Sequence, residues 1–227
     1  MIERSLTKLR YKISADKFYV PRKKEYSVSI SKIEKTLKIA LKTGVMRPRD
    51  LDNYNIPRKY LYILWKRGLL EKIDTGLYSH PEARVSENRT VVEVSKKLPH
   101  SVVCLISALH FHDLTTQLPH QVWVAIDRKA WSGPKLNLPV RIFRFSGKSL
   151  TEGIEEHDIE GVKVKIYCPA KSVADCFKYR NKIGLDVAVE ALRDCLTRRK
   201  AKPSDIIYYA RICRISSVIR PYLEVLL

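Results

Sequence analysis

The residues best placed to do chemistry in this sequence are hydrogen-bond donors, and they gather between positions 47 and 75. Asn55, Arg58, Lys59, Tyr62 and Lys66 recur over one short stretch, with Arg47 and Arg49 before it and Lys72 and Thr75 after it. Guanidinium, ammonium, amide and hydroxyl groups in that mixture match what duplex DNA offers: phosphate oxygens on the backbone and N7, O6 and O4 acceptors on base edges. Helical geometry sorts them. With Leu61 at the centre of a buried face, a step of about 100° per residue puts Leu64 and Trp65 beside it. Lys59, Tyr62, Ile63 and Lys66 then fall on the opposite face, with Arg58 near its N-terminal edge. A recognition helix needs this division: an apolar side locked to its neighbours and a projecting side that carries donors. Asn55, Arg58 and Lys59 cluster where such a helix points into the major groove. Arg47 and Arg49 sit at the start of a preceding helix, near a phosphate, and Lys72 and Thr75 lie on a hairpin that would straddle the minor groove or backbone. Ile63 could touch a thymine methyl or pack on the N-terminal extension. The competing account is a solvated charged face.

Other candidate chemistry is weaker. Gly147-Lys148-Ser149 follows a strand pattern, but a phosphate-cradling loop needs a glycine where Ile142 stands. His110 and His112 fall two apart on a helical pattern, so they cannot face one metal together. Ser107, between Ile106 and Ala108, lacks the glycines of a nucleophile elbow. Asp127, Glu160 and Lys163, backed by Glu155, Glu156 and Asp158, could imitate a nuclease metal site, although charges on a hairpin are more commonly a solvated face. No catalytic residue, metal or cofactor is expected.

The elements that must hold the donors are legible in the spacing. Ile30, Ile33, Leu37 and Leu41 predict a helix, capped by Ser29 or Ser31 and ended by Gly44. A short helix is predicted over Pro48–Asn53, and a third from Pro57 to Arg67 with Asn55 as N-cap and Gly68 as stop. Residues 69–73 and 76–79 flank Asp74-Thr75 as a tight hairpin. Helix, short helix, helix and hairpin make a winged helix-turn-helix over residues 29–82. A basic extension covers residues 1–28, where Arg22-Lys23-Lys24 could be a DNA-contacting arm or a solvated tail.

Pro81 to Arg89 reads as a linker into a second unit, residues 87–227. Helices are predicted over 89–98 and 101–112, strands over 121–127 and 140–146, and a hairpin at 154–167 around Glu160-Gly161. From Pro169 the pattern is helical: 169–179, 186–198 with Asp186 as cap, 203–211 and 217–226. Strands in a block followed by helices in a block make this unit α+β, a small and mostly antiparallel sheet with a C-terminal helical block. Arg198-Arg199-Lys200 and Lys202 form a second basic cluster. It is either a polyanion patch or the ordinary placement of cations at a helix C-terminus.

Composition agrees with a polyanion partner. The chain has 227 residues, is 45% hydrophobic, and carries 43 Lys+Arg against 24 Asp+Glu, net +19. Residues 1–84 hold 20 of those cations and 9 of the acids, so more than half of the excess lies in the first third. Nucleic acid is the leading partner, because cationic surfaces release the counterions condensed on phosphates. An anionic membrane surface comes second among such partners. The plain alternative to both is a soluble protein of high isoelectric point with no polyanion partner. The longest run of strongly apolar residues, Val102–Ile106, is far below the ~20 needed to span a bilayer. Lys8, Arg10, Lys12 and Lys17 interrupt any signal-peptide core. Five widely spaced cysteines without C-x-x-C fit reduced thiols in a cytoplasm.

Three motifs in the first unit resemble the winged helix of the AbiEi-type antitoxins of bacterial abortive-infection systems: Pro57-Arg58-Lys59-Tyr60-Leu61, Lys66-Arg67-Gly68-Leu69-Leu70 and Gly76-Leu77-Tyr78-Ser79. The second unit is similar to the same family at Leu105 to His110, at Val122 to Ile126 and, most tellingly, at Ala174-Asp175-Cys176-Phe177-Lys178-Tyr179-Arg180-Asn181-Lys182-Ile183-Gly184. The resemblance spans roughly residues 30 to 227, and residues 1–28 have no counterpart in it. It implies a transcriptional autorepressor that binds inverted repeats in its own promoter, cooperatively or as a dimer. It also implies an antitoxin domain opposing a nucleotidyltransferase toxin encoded next door, with or without direct contact. Arg58, Lys59 and Tyr62 would contact bases or phosphates. Asp175, Lys178, Tyr179, Arg180 and Asn181 would be the antitoxin-domain signature, whose plainest role is a buried network with Asp175 paired to Arg180 or Lys178. Two rivals are a winged-helix regulator whose second domain senses a ligand or dimerises, and a metal-dependent nuclease built on Asp127, Glu160 and Lys163.

Overall fold

The computed structural model describes residues 30–83, 87–130 and 137–226, so the extension 1–28 and the proposed Ser29 cap lie outside the described residues. Helix α1 (Ile30–Thr43) buries Ile33, Leu37 and Ala40 along one stripe and exposes Lys32, Lys35, Lys38 and Lys42. Ser31 lies inside this helix and caps nothing. After strand β1 (Val45–Met46) the second helix is a 3₁₀ helix, Pro48–Tyr54, and it closes tightly: the Arg47 amide donates to Asp50 Oδ2 at 2.9 Å. Asn55 ends this turn in the left-handed region, φ 53°, with its amide donating to Asp52 O. It therefore caps the C-terminus of the 3₁₀ helix and is not the N-cap of the next one. Arg58 takes that N-cap place, with no side-chain cap. Helix α2 (Lys59–Lys66) then buries Tyr60, Leu61 and Leu64.

Strands β2 (Glu71–Asp74) and β3 (Leu77–Ser79) form the hairpin, one residue later than expected. Asp74 is a buried strand end and Thr75-Gly76 make the turn. Strand β1 pairs with β3, Val45 opposite Ser79, which completes a small antiparallel sheet in the order β1-β3-β2.

Helix α3 (Arg89–Lys97) leads to the second sheet. The helix expected over 101–112 is divided. Val102–Val103 form strand β4, and Leu105, at φ 51°, turns the chain into helix α4 (Leu105–Phe111). The β-branched pair has a strand on each side, β5 (Val122–Asp127) antiparallel and β8 (Val162–Tyr167) parallel, and that pairing overrides the helical spacing. With β6 (Val140–Phe145) and β7 (Ile154–Ile159) the order is β6-β5-β4-β8-β7. Two neighbour pairs are parallel and two antiparallel, so the sheet is evenly mixed and not mostly antiparallel. A short helix, α5 (Lys148–Thr151), joins β6 to β7.

The helical block follows as α6 (Pro169–Lys178), α7 (Arg180–Ile183), α8 (Leu185–Thr197), α9 (Pro203–Ile212) and α10 (Ser216–Leu226). Gly184, at φ 95°, is the N-cap of α8. Asp186 lies in the first turn and makes no side-chain cap hydrogen bond, and its Oδ1 comes so close to Gly184 that a Cβ there would lie 2.3 Å from it.

The molecule is α+β. One face of the large sheet, Trp123, Ala125, Phe143, Phe145 and Tyr167, packs on α4 and the helical block. The other face, including Val124, Val164 and Ile166, packs on Val92 and Val94 of α3, and the same cluster takes in Val45 and Leu77 of the small sheet. Helix α3 thus joins both sheets in one apolar core. The linker expected at 81–89 falls partly outside the described residues, and it ends directly in this shared helix. Among the described residues no helix is long and apolar enough to cross a membrane.

Candidate nucleic-acid interface

Lys59, Tyr62 and Lys66 are exposed on the outer side of α2, Tyr62 by 53%. The opposite side is anchored by Leu61 and Leu64, both fully buried. Trp65, expected beside the buried face, is half-buried and works as a hub. Its ring lies 5.6 Å from that of Tyr62, with Lys66 Nζ at 4.5 Å and Lys72 Nζ at 5.1 Å. Lys72 comes from β2 and its contact with the indole ties that strand to α2, while Lys66 covers the same ring from α2 itself. The hairpin tip is held from behind: Lys97 Nζ donates to Thr75 O at 2.5 Å and pairs with Asp74 Oδ2 at 3.1 Å. Thr75 itself is exposed.

At the start of α2, Arg58 and Asp52 form a paired fork. Nε donates to Asp52 Oδ1 at 2.9 Å and Nη2 to Oδ2 at 2.5 Å. The guanidinium hydrogen bonds hold the Asp52 carboxyl below the usual carboxylate range, and Arg49 adds a weaker pull. Asp52 was not among the sequence-derived candidates. Its signal was faint: an acid six residues before Arg58, on the far side of a turn that only the fold closes. Arg49 and Asn55 are exposed on the same flank.

Arg47 departs from expectation. Its guanidinium turns inward, with Nη1 donating to Lys96 O at 2.8 Å and Nη2 to Asp50 Oδ1 at 3.1 Å. Lys96 Nζ reaches the same carboxylate at 2.5 Å. Burial alone would raise the Asp50 carboxyl, but Lys96 and the Arg47 amide outweigh it and lower it. Arg47 therefore ties the 3₁₀ helix to α3. Beside this tie a cleft of about 230 Å³ opens against the β7–β8 hairpin, lined by Arg47, Lys96, Lys163 and Lys165.

The residues of the Ala174–Gly184 motif do not converge on one site. Asp175 is fully buried, and its partner is Lys171, one helical turn earlier, with Nζ at 2.5 Å from Oδ2. Cys213 donates to the other oxygen at 3.2 Å. Neither Lys178 nor Arg180 pairs with Asp175, because residues 171 and 175 share the inward face of α6 whereas 178 lies at its exposed end. Burial pushes the Asp175 carboxyl up against the pull of Lys171. Lys178 Nζ lies 3.3 Å from Ser149 Oγ, and Arg180 donates to Phe177 O. Tyr179 stacks on Phe145 at 5.6 Å and 6°, and burial pushes its hydroxyl up to about 12. Asn181 is exposed.

The nuclease arrangement is not assembled. The registers place Asp127 level with Lys163 but on strands separated by β4, roughly 10 Å apart. Among the described residues no group of three His, Cys, Asp or Glu side chains could hold a metal ion. The five cysteines are unpaired, and burial raises each thiol, which makes them poor nucleophiles. In the second basic cluster, Arg198 is tied to Asp194 at 2.9 Å and to Asp113 O at 2.8 Å, while Arg199 and Lys202 are exposed.

No family model and no curated protein matches the chain. Among solved structures, the crystal structure of the RV2827C protein from Mycobacterium tuberculosis is similar in fold. The TM-score is 0.51 over 87% of this chain and 80% of that one, at 12% identity.

Proposed function

We propose that the chain is a DNA-binding transcriptional autorepressor and the antitoxin half of an AbiEi-type abortive-infection pair. Its first unit is read as a winged helix-turn-helix, with α2 as the recognition helix and the Thr75-Gly76 turn as the wing. The observation that carries DNA binding is the continuous exposed strip from Arg49 and Arg58 through Lys59, Tyr62 and Lys66 to Lys72, fixed from beneath by Leu61, Leu64 and the Trp65 hub. Helix α2 enters the major groove, and Lys72 and Thr75 lie along the backbone. Inverted repeats in the promoter, bound cooperatively or by a dimer, would then exclude polymerase. The antitoxin assignment rests on the ordered motifs from Pro57 to Gly184. In that role the second unit counters a nucleotidyltransferase encoded next door.

Fluorescence anisotropy on the chain's own upstream DNA, against a scrambled duplex, tests the first part. A preference that survives between about 0.05 and 0.2 M salt is expected, since non-specific binding weakens steeply over that range. Equal, salt-fragile binding to both duplexes overturns it. Co-expression with the adjacent gene tests the second part: growth should be restored, and persistent toxicity refutes the antitoxin role. A second reading, a regulator whose DNA binding responds to a small anion, is favoured by the cation-lined cleft beside Arg47. It gains ground if no nucleotidyltransferase gene lies adjacent.

A further inference from the structure

We infer that Asp52 is a positioning residue that turns Arg58 into a reader of guanine, so that each operator half-site carries a guanine facing the start of α2. This rests on the DNA-binding reading above. A guanidinium has two forks of parallel N–H groups: a side fork of Nε–H with one Nη2–H, and an end fork of Nη1–H with the other Nη2–H. Asp52 occupies the side fork, accepting from Nε at 2.9 and 3.1 Å and from Nη2 at 2.5 Å. The end fork remains, held in plane by a carboxylate on the 3₁₀ helix. Two parallel donors match the adjacent O6 and N7 acceptors of guanine. Adenine presents an amino group beside its N7, and cytosine presents an amino group, so either opposes one donor with another. Thymine offers a single acceptor.

The alternative role for Arg58 is a phosphate contact, and the carboxylate argues against it. A phosphate beside this pair meets one positive and one negative charge, so its net attraction is small. Both side chains are about half exposed, 55% and 47%, and an exposed ion pair adds little to stability. The geometry gains its value from orientation: a long, rotatable side chain is prearranged for one base edge.

The test is selection from a pool of duplexes with about 16 randomised central positions, followed by anisotropy on selected and single-base-changed duplexes. Wild type should select a guanine and lose roughly ten-fold or more when it is changed. Asp52→Ala should bring that discrimination below about three-fold while binding the unselected pool as well as wild type or better, because a negative charge has left the surface. Arg58→Lys keeps the charge but has no fork, so it should lose the guanine preference and keep pool affinity. Urea midpoints within error of wild type confirm that both variants fold. Wild type selecting a sequence without the guanine overturns the inference, as does Asp52→Ala keeping the full preference, while DNA binding stands in both cases. Wild type selecting no sequence at all removes the DNA-reading assignment and the inference with it.

Discussion

Lys171 and Asp175 show how a charged pair can be wholly internal. Asp175 belongs to the motif that most resembles an antitoxin signature, yet it is fully buried and bonded to Lys171 and Cys213. Breaking such a pair leaves one uncompensated charge in an apolar interior. Lys171→Met should therefore lose about 3–5 kcal/mol of unfolding free energy in urea titrations, and Lys171→Met/Asp175→Leu should recover most of it. A double variant as unstable as the single would show that the pair itself, and not its imbalance, holds the helical block. The exposed cations behave oppositely. Lys66→Ala should leave stability within about 0.5 kcal/mol, weaken every duplex alike and lower the salt slope by roughly one. Arg58→Ala should cost roughly 1–3 kcal/mol on the preferred duplex and much less on a scrambled one.

At the scale of elements, α2 is a two-turn helix with little stability of its own, so its direction depends on the residues beneath it. Leu64→Ala should cost about 2–5 kcal/mol in stability and weaken duplex binding as well, because the same side chain holds the helix at its angle. Thermal melts and anisotropy on one preparation would separate this from Lys66→Ala, which affects binding alone. The 3₁₀ helix is fixed at both ends, by Arg47–Asp50–Lys96 and by Asn55. Asn55→Gly should be nearly neutral, whereas Asn55→Val should lose about 1–2 kcal/mol, because a β-branched residue resists the left-handed region. If the two unfold alike, φ at position 55 is not a constraint. The helical spacing of Leu61 and Leu64 was legible in the sequence. The reach of Asp52 across the turn to Arg58 was not, because it depends on a 3₁₀ helix in place of an α-helix.

For the whole molecule, α3 is the joint. Its Val92 and Val94 lie in the core shared by both sheets, so one cooperative unfolding transition is expected rather than two. Stability should also fall in mild acid. Burial lowers the pKa of His112, whose Nε2 lies 2.8 Å from Tyr167 O. The unfolded chain then takes up the proton first. This contribution is complete above the ordinary value of about 6.5 and is lost as pH falls below it. Thermal melts of wild type and His112→Gln between about pH 7.5 and 5 isolate it together with its coupling to the neighbouring His157 and Glu155, since groups that do not interact with His112 cancel in the difference. Wild type should lose more than the variant on acidification, and parallel curves would refute the assignment.

What could be read directly was whatever depends on neighbours in the chain. The two faces of α2, the hairpin at Glu160-Gly161 and the helices from Pro169 onward follow from periodicity and turn chemistry over a few residues. What the tertiary structure decided depends on distant arrivals. Val102 and Val103 became a strand because β5 and β8 flank them, Arg47 turned inward because Lys96 and Asp50 meet it there, and the two sheets share one core because α3 lies between them. Local spacing sets which side of an element is apolar. Only packing sets what that side meets, and a charged side chain becomes a surface ligand or an internal tie according to whether a partner reaches it first.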